Sequence, residues 1–177
     1  MENIVIIIPS RLNAERLPHK PLKLIKNKEM ILHVHAAAKD SNVGQVIVAT
    51  PDNEIFELIK KNNGHAVLTN NKHETGTDRV FEVFEKELNS KPEIIINFQG
   101  DMPNLNPNAI KDLAEHMKKN SCDIGTLASH IKNKHEEKDI NVVKVLVDNN
   151  IENKSFAKAI DFFRTSNKPL NKLTIIM

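Results

Sequence analysis

A run of five β-branched residues, Ile4-Val5-Ile6-Ile7-Ile8, leads into a loop carrying two guanidiniums and an ammonium: Pro9-Ser10-Arg11-Leu12-Asn13-Ala14-Glu15-Arg16-Leu17-Pro18-His19-Lys20. Cations placed this way suit polyphosphate. They hold it in line and neutralise the charge that builds on a leaving pyrophosphate. A solvated basic loop would carry the same charges, and from charge alone the two readings stand level. The chain has 25 Lys and Arg, of which only Arg11, Arg16, Arg79 and Arg164 are Arg. A Lys-favouring bias accounts for that ratio. It does not account for Arg11, Arg16 and Arg79, the rigid forks suited to phosphate and carboxylate, falling in segments that look functional on other grounds.

Two further strings carry chemistry. His73-Glu74-Thr75-Gly76-Thr77-Asp78-Arg79 is a small-residue turn entering a helix, with Thr77 as the expected N-cap. Free N–H groups at such a turn suit a closely approaching ligand; a capped helix with Asp78 and Arg79 on an exposed first turn reads the same way. Asn97-Phe98-Gln99-Gly100-Asp101-Met102-Pro103 places a carboxylate beside a glycine after an apolar run. Mg²⁺ accepts one or two carboxylates, with phosphate oxygens and water completing its shell. A plain Gly-Asp turn is the alternative. His33 and His35 lie two apart on an expected helix and share no face, and the single Cys122 has no partner motif.

These strings need elements to position them. The run Ile4–Ile8 reads as a strand buried on both faces. Met30–Lys39 reads as a helix, Gln45–Thr50 as strand two, Asn53–Asn62 as a helix ended by Gly64, and His65–Leu68 as strand three. Thr77–Leu88 is expected to be helical, with Val80, Phe81, Val83, Phe84 and Leu88 on its apolar face. Glu93–Phe98 reads as a fourth buried strand, and Pro107 opens another helix. The alternation implies a three-layer α/β/α sandwich with a mostly parallel, Rossmann-like sheet. Ligands then bind beyond the carboxyl ends of the strands, so the loops after strands one, two and four are the ones of interest. Beyond Asn120 the pattern loosens into strands at Asp123–Ile131, Val142–Asp148 and Ala159–Phe163, with Leu173–Met177 as an element just begun. Residues 1–120 are expected to form an α/β core and 121–177 a second portion.

Composition narrows the function classes. With 177 residues and 40% hydrophobic content, one ordinary core is supported. Net charge is +2 with no basic stripe, which argues against a nucleic-acid partner. No run of eighteen apolar residues suggests a membrane span and no leader pattern is recognised, so a cytoplasmic globular protein is expected.

The first loop, with its strand, Pro, small residue, Arg, and then Arg16-Leu17-Pro18, one residue, Lys20-Pro21-Leu22, resembles the signature of nucleotidyltransferases that activate acidic sugars with CTP. It is especially similar to the 3-deoxy-manno-octulosonate (Kdo) cytidylyltransferase, or CMP-Kdo synthetase, family. His73–Arg79 resembles that family's His-x-Ser/Thr-Gly-Thr-x-Arg segment, and Gln99–Pro103 its Gln-Gly-Asp-x-Pro motif. Weaker echoes are Thr50-Pro51-Asp52, Asn141–Val145 and Ala159–Arg164. Departures stand at Ala14-Glu15, His19, Met102 and Phe163.

The resemblance implies the nucleotide-diphospho-sugar transferase fold and the joining of CTP to Kdo for lipopolysaccharide biosynthesis. It implies catalytic Arg11, Lys20 and Asp101, with Asp101 holding Mg²⁺. Pro9, Ser10, Arg11, Lys20, Thr50, Gly76, Thr77 and Gln99 would bind nucleotide, and Arg16, Arg79, Gln99 and Arg164 the sugar. It also implies a homodimer, and a chain incomplete at its C-terminus, with residues 1–120 as the nucleotide-binding core and the second portion (121–177) opening a sugar-binding and dimerisation part. A catalytically impaired nucleotide-binding remnant, or a related acidic-sugar nucleotidyltransferase that activates another acidic sugar or uses another nucleotide, are the alternatives.

Overall fold

The computed structural model describes residues 3–13, 17–120, 122–131, 133–148, 156–165 and 173–176. The chain forms two compact units, residues 1–119 and 120–177.

In the first unit the strands are β1 (Ile4–Pro9), the short pair β2 (Leu24–Ile25) and β3 (Lys28–Glu29), β4 (Gln45–Thr50), β5 (His65–Leu68) and β6 (Ile94–Asn97). The helices are α1 (Met30–Asp40), α2 (Asn53–Lys61), α3 (Gly76–Lys86) and α4 (Pro107–Asn120). Four strands make an all-parallel sheet in the order β5-β4-β1-β6. Alternation along β1 splits the core. Ile4, Ile6 and Ile8 meet Ile31 and Val34 of α1, Ile55 and Ile59 of α2 and Ile110 of α4. Val5 and Ile7 join Ile47, Ala49 and Val67 against Val80 and Val83 of α3. Helices therefore cover both faces, which is why β1 has no polar residue to alternate with. The expected α/β sandwich with a parallel sheet is the fold found.

The chain runs outward from β1 through β4 to β5, then returns by α3 to place β6 on the other side of β1. The loops after β1 and β6 thus part at the reversal of strand order, where parallel sheets bind ligands.

Several local expectations are corrected. The αL residue ending α2 is Asn63, not Gly64. Gly64 N donates to Ile59 O and Asn63 N to Lys60 O, the Schellman pair. Gly64 is required by packing instead, because a Cβ there would lie 2.6 Å from Ile59 Cγ2 and 2.9 Å from His35 Nε2. The cap of α3 is Thr75 rather than Thr77, in a capping box with Asp78. Phe81 is exposed although it falls on the expected apolar face. Strand β6 is half-buried rather than buried, since it is the sheet's edge. The β2–β3 hairpin was not foreseen; Lys26 and Asn27 both turn through positive φ, a turn that usually advertises itself with glycine.

The second unit holds an antiparallel sheet of β7 (Ala128–His130), β8 (Lys144–Val147), β9 (Ala159–Phe163) and β10 (Leu173–Ile176), in the order β7-β10-β8-β9. Strand β7 is shorter than the expected Asp123–Ile131. A one-turn helix, α5 (Lys134–Lys138), starts where Asn133 Oδ1 accepts from His135 N and Glu136 N.

Candidate active site

The loop leaving β1 is tied down at both ends. Asp52 sits at the N-cap of α2, yet its carboxylate turns away from that helix and Oδ2 accepts from Leu12 N at 2.8 Å. Thr50 Oγ1 in turn accepts from Asp52 N. At the far end His19 N donates to Leu12 O, and His19 adopts αL (φ 56°) ahead of a 3₁₀ turn at Lys20–Leu22. The loop is thereby folded back so that Lys20 Nζ donates to Asp101 Oδ2 at 2.7 Å, across from the β6 loop. Both side chains keep solvent access, 34% and 54%. The β6 loop can approach because residue 100 is glycine: a Cβ there would lie 2.8 Å from Pro9 O.

The third wall is the turn into α3. Glu82, nearly two turns inside that helix, gathers the preceding segment. Its Oε2 accepts from Asn70 N (2.8 Å) and His73 Nε2 (2.6 Å), and its Oε1 from Lys86 Nζ (2.9 Å). The Lys86 ammonium first, then these other donors, hold the Glu82 carboxyl down at about 2. Arg79 is buried at 2% exposure, and its Nη1 donates to Thr69 Oγ1 and Asn70 O. Burial chiefly, and then the positive charge of Arg11, lower its pKa. No carboxylate forms an ion pair with it among the described residues.

The three walls enclose a cleft of about 290 Å³. Arg11, Lys20 and Arg79 line it against the one carboxylate of Asp101, with Pro9, Ser10, His73, Gly76 and Gln99 completing the surface. Such a surplus of positive charge selects an anion.

The structure therefore brings together Pro9, Ser10, Arg11, Lys20, Gly76, Arg79, Gln99 and Asp101. Thr50 does not line the cleft. It is fully buried and acts through Asp52 on the loop. Thr77 is exposed beside it, and its Oγ1 accepts from Asn97 Nδ2 at 3.4 Å. Arg16, with Ala14 and Glu15, lies outside the described residues. Arg164 belongs to the second unit, where Nη1 donates to Ile140 O and Asn141 O. Sequence reasoning missed Glu82 and the tethering role of Asp52. The Glu82–Lys86 spacing was visible as an i,i+4 pair, but nothing local announces a carboxylate that reaches back twelve residues.

The family model described as cytidylyltransferase matches residues 5–175 of the chain. The chain is 41% identical over 148 residues to the 3-deoxy-manno-octulosonate cytidylyltransferase of Glaesserella parasuis serovar 5 (strain SH0165), covering 84% of this chain and 58% of that protein. It is 42% identical over 164 residues to 3-deoxy-manno-octulosonate cytidylyltransferase 2 of Actinobacillus pleuropneumoniae serotype 5b (strain L20), covering 93% and 65%. The chain thus spans about three fifths of the length of these curated relatives. Among solved structures it is similar to CMP:2-keto-3-deoxy-manno-octonic acid synthetase complexed with CTP. There the TM-score is 0.84 at 33% identity, over 98% of this chain and 71% of that one.

Proposed function

The chain belongs to the cytidylyltransferase family, and from that premise we propose that it joins CTP to Kdo, releasing pyrophosphate. The carrying observation is the cleft at the strand-order reversal, where three cations face one carboxylate. The relatives named for Kdo, and the similar structure holding CTP, support the choice of sugar and nucleotide.

In the proposed reaction the anomeric hydroxyl of Kdo attacks the α-phosphorus of CTP. A new P–O bond forms as the hydroxyl gives up its proton to solvent, the α–β bridging P–O bond breaks, and pyrophosphate takes the electron pair. Arg11 and Lys20 hold the phosphates and stabilise the charge that grows on the leaving group. The turn at Gly76 and Thr77 fits close against the nucleotide, and Thr50 supports the loop through Asp52. Arg79 and Gln99 face the sugar side. Arg16 and Arg164 are assigned to the sugar on the resemblance alone. The donor set fits Mg²⁺: Asp101 is an exposed carboxylate beside a polyphosphate site, and one carboxylate with phosphate oxygens and water is the set this ion accepts. Bound there, Mg²⁺ would supply Lewis-acid neutralisation of phosphate charge. Lys20 then exchanges Asp101 for phosphate.

On this reading the first unit is the nucleotide-binding part and the second begins the sugar-binding and dimerisation part. The protein works as a cytoplasmic homodimer in lipopolysaccharide biosynthesis, with CTP and Kdo as partners rather than nucleic acid or membrane. Among the described residues no helix is long and apolar enough to cross a membrane.

A second reading, nucleotide binding without turnover, is favoured by one observation: among the described residues lining the cleft, Asp101 is the only carboxylate. One sample decides. Calorimetry with CTP and a pyrophosphate-release assay with CTP plus Kdo should both be positive, and Asp101→Asn should lose the second. Binding without pyrophosphate supports the second reading. Pyrophosphate release only with a different acidic sugar or a different nucleoside triphosphate moves the assignment to a related transferase, and no nucleotide binding at all sinks all three.

A further inference from the structure

Among the described residues, Ser10 Oγ is the one buried side-chain nitrogen or oxygen with no hydrogen-bond partner. Native proteins rarely leave such a group unpaired, and each exception calls for an explanation. Ser10 is 6% exposed and lines the cleft. Its backbone N–H is already committed, donating to Ala49 O at 2.9 Å. Of its two donors, only the hydroxyl is left without a protein partner. The hydroxyl lies where the β6 loop comes up against the β1 loop, at the cleft lining: a Cβ at residue 100 would lie 3.4 Å from Ser10 Oγ. The charged neighbours around the cleft are mostly donors, namely Arg11, Lys20 and Arg79. A partner recruited into that field is an acceptor and carries negative charge.

We infer that the Ser10 hydroxyl donates a hydrogen bond to a phosphate oxygen of the bound nucleoside triphosphate. The inference rests on the nucleotide-binding reading above and deepens it. Ser10 is then a substrate contact through its side chain, and its hydroxyl waits unpaired until the phosphate arrives. A hydrogen bond to a charged acceptor is stronger than a neutral one, so its loss should be measurable beside the cations.

The test compares wild type, Ser10→Ala and Arg11→Ala, using CTP and cytidine as probes in calorimetry and thermal melting without ligand. Ser10→Ala should bind CTP roughly tenfold more weakly, bind cytidine as wild type does, and melt no lower than wild type, because no protein hydrogen bond is removed. Arg11→Ala should also lose CTP affinity. If Ser10→Ala binds CTP like wild type while Arg11→Ala is weakened, the inference is overturned and the nucleotide reading stands. Equal loss for cytidine and CTP would overturn the phosphate assignment. A clear drop in the ligand-free melting temperature of Ser10→Ala would mean a structural role instead. Wild-type protein that binds no CTP would remove the underlying reading itself.

Discussion

All six residues of β1 are buried, whereas four of the five in β9 are exposed and the fifth is half-buried. Both strands are rich in large apolar side chains. The difference lies in position. Strand β1 is interior to a parallel sheet with helices on both faces, while β9 is the edge of an antiparallel one. Ile160 and Phe162 consequently stay 60% and 50% exposed. Charge is handled differently too. The first unit leaves cations facing a cleft. In the second, Lys144 is fully buried and its ammonium donates to the carbonyls of Asp139 and Arg164. Apolar content alone does not make a core; the layer above each strand does.

Four substitutions test how far the two units differ. The largest effect concerns chemistry. Lys20→Ala should lower kcat by roughly 10²–10³-fold, the scale of losing one group that stabilises transition-state charge. Arg164→Ala should instead raise KM for Kdo with kcat nearly kept. Steady-state pyrophosphate release reads both, and a kcat collapse in Arg164→Ala would place chemistry in the second unit as well. Next comes packing. Ile6→Ala should cost about 3 kcal/mol in urea unfolding, and Phe162→Ala well under 1 kcal/mol because half its surface is already wet. Equal costs would mean β9 is covered in solution.

Gly64→Ala should cost about 2 kcal/mol by overpacking against Ile59 and His35. Asn63→Gly, at the αL position, should be neutral or slightly stabilising. The reverse ranking would show that backbone conformation, not packing, governs that helix end. The smallest effect is electrostatic. The Glu82 carboxyl is held down from an ordinary 4.5 to about 2, with the Lys86 hydrogen bond the first cause. A depressed carboxyl stabilises the fold above its unfolded value and loses that contribution as pH falls through the folded one. Melting temperature should therefore fall between about pH 4.5 and 2 in wild type, and less steeply in Glu82→Gln.

Legibility in the sequence followed the range of the interactions. Strands at 45–50 and 65–68 and the helix opening at Met30 were readable because burial on a sheet or one helix face writes a pattern over consecutive residues, and the exposed strand at 159–163 was readable from its β-branched and aromatic residues instead. The signals that failed were those with two adjacent candidates. Thr75 and Thr77 are both capping residues, and the choice fell to the one whose partner three residues on is Asp78. Asn63 and Gly64 both tolerate αL; Asn63 takes it, and glycine at 64 answers to the close approach of Ile59 and His35. Phe81 was misplaced because only two positions of α3, Val80 and Val83, belong to the sheet-facing cluster. At the site, motif strings marked the three walls, but not the side chains that hold the walls in place. Asp52 reaches Leu12 over forty residues and Glu82 reaches Asn70 over twelve, distances at which a single sequence carries no pairing information.

The contact between Lys20 and Asp101 means that the cleft carries its own internal counterion. On the proposed reading, an arriving polyphosphate would not fill an empty basic site; it would displace a carboxylate from an ammonium. A partly exposed ion pair is weak, about 0.2–1 kcal/mol, so the displacement is easily driven. On the proposed reading, an anion of several charges gains more from the three cations than one of single charge, so valence would weigh in selection before a base or a sugar is recognised.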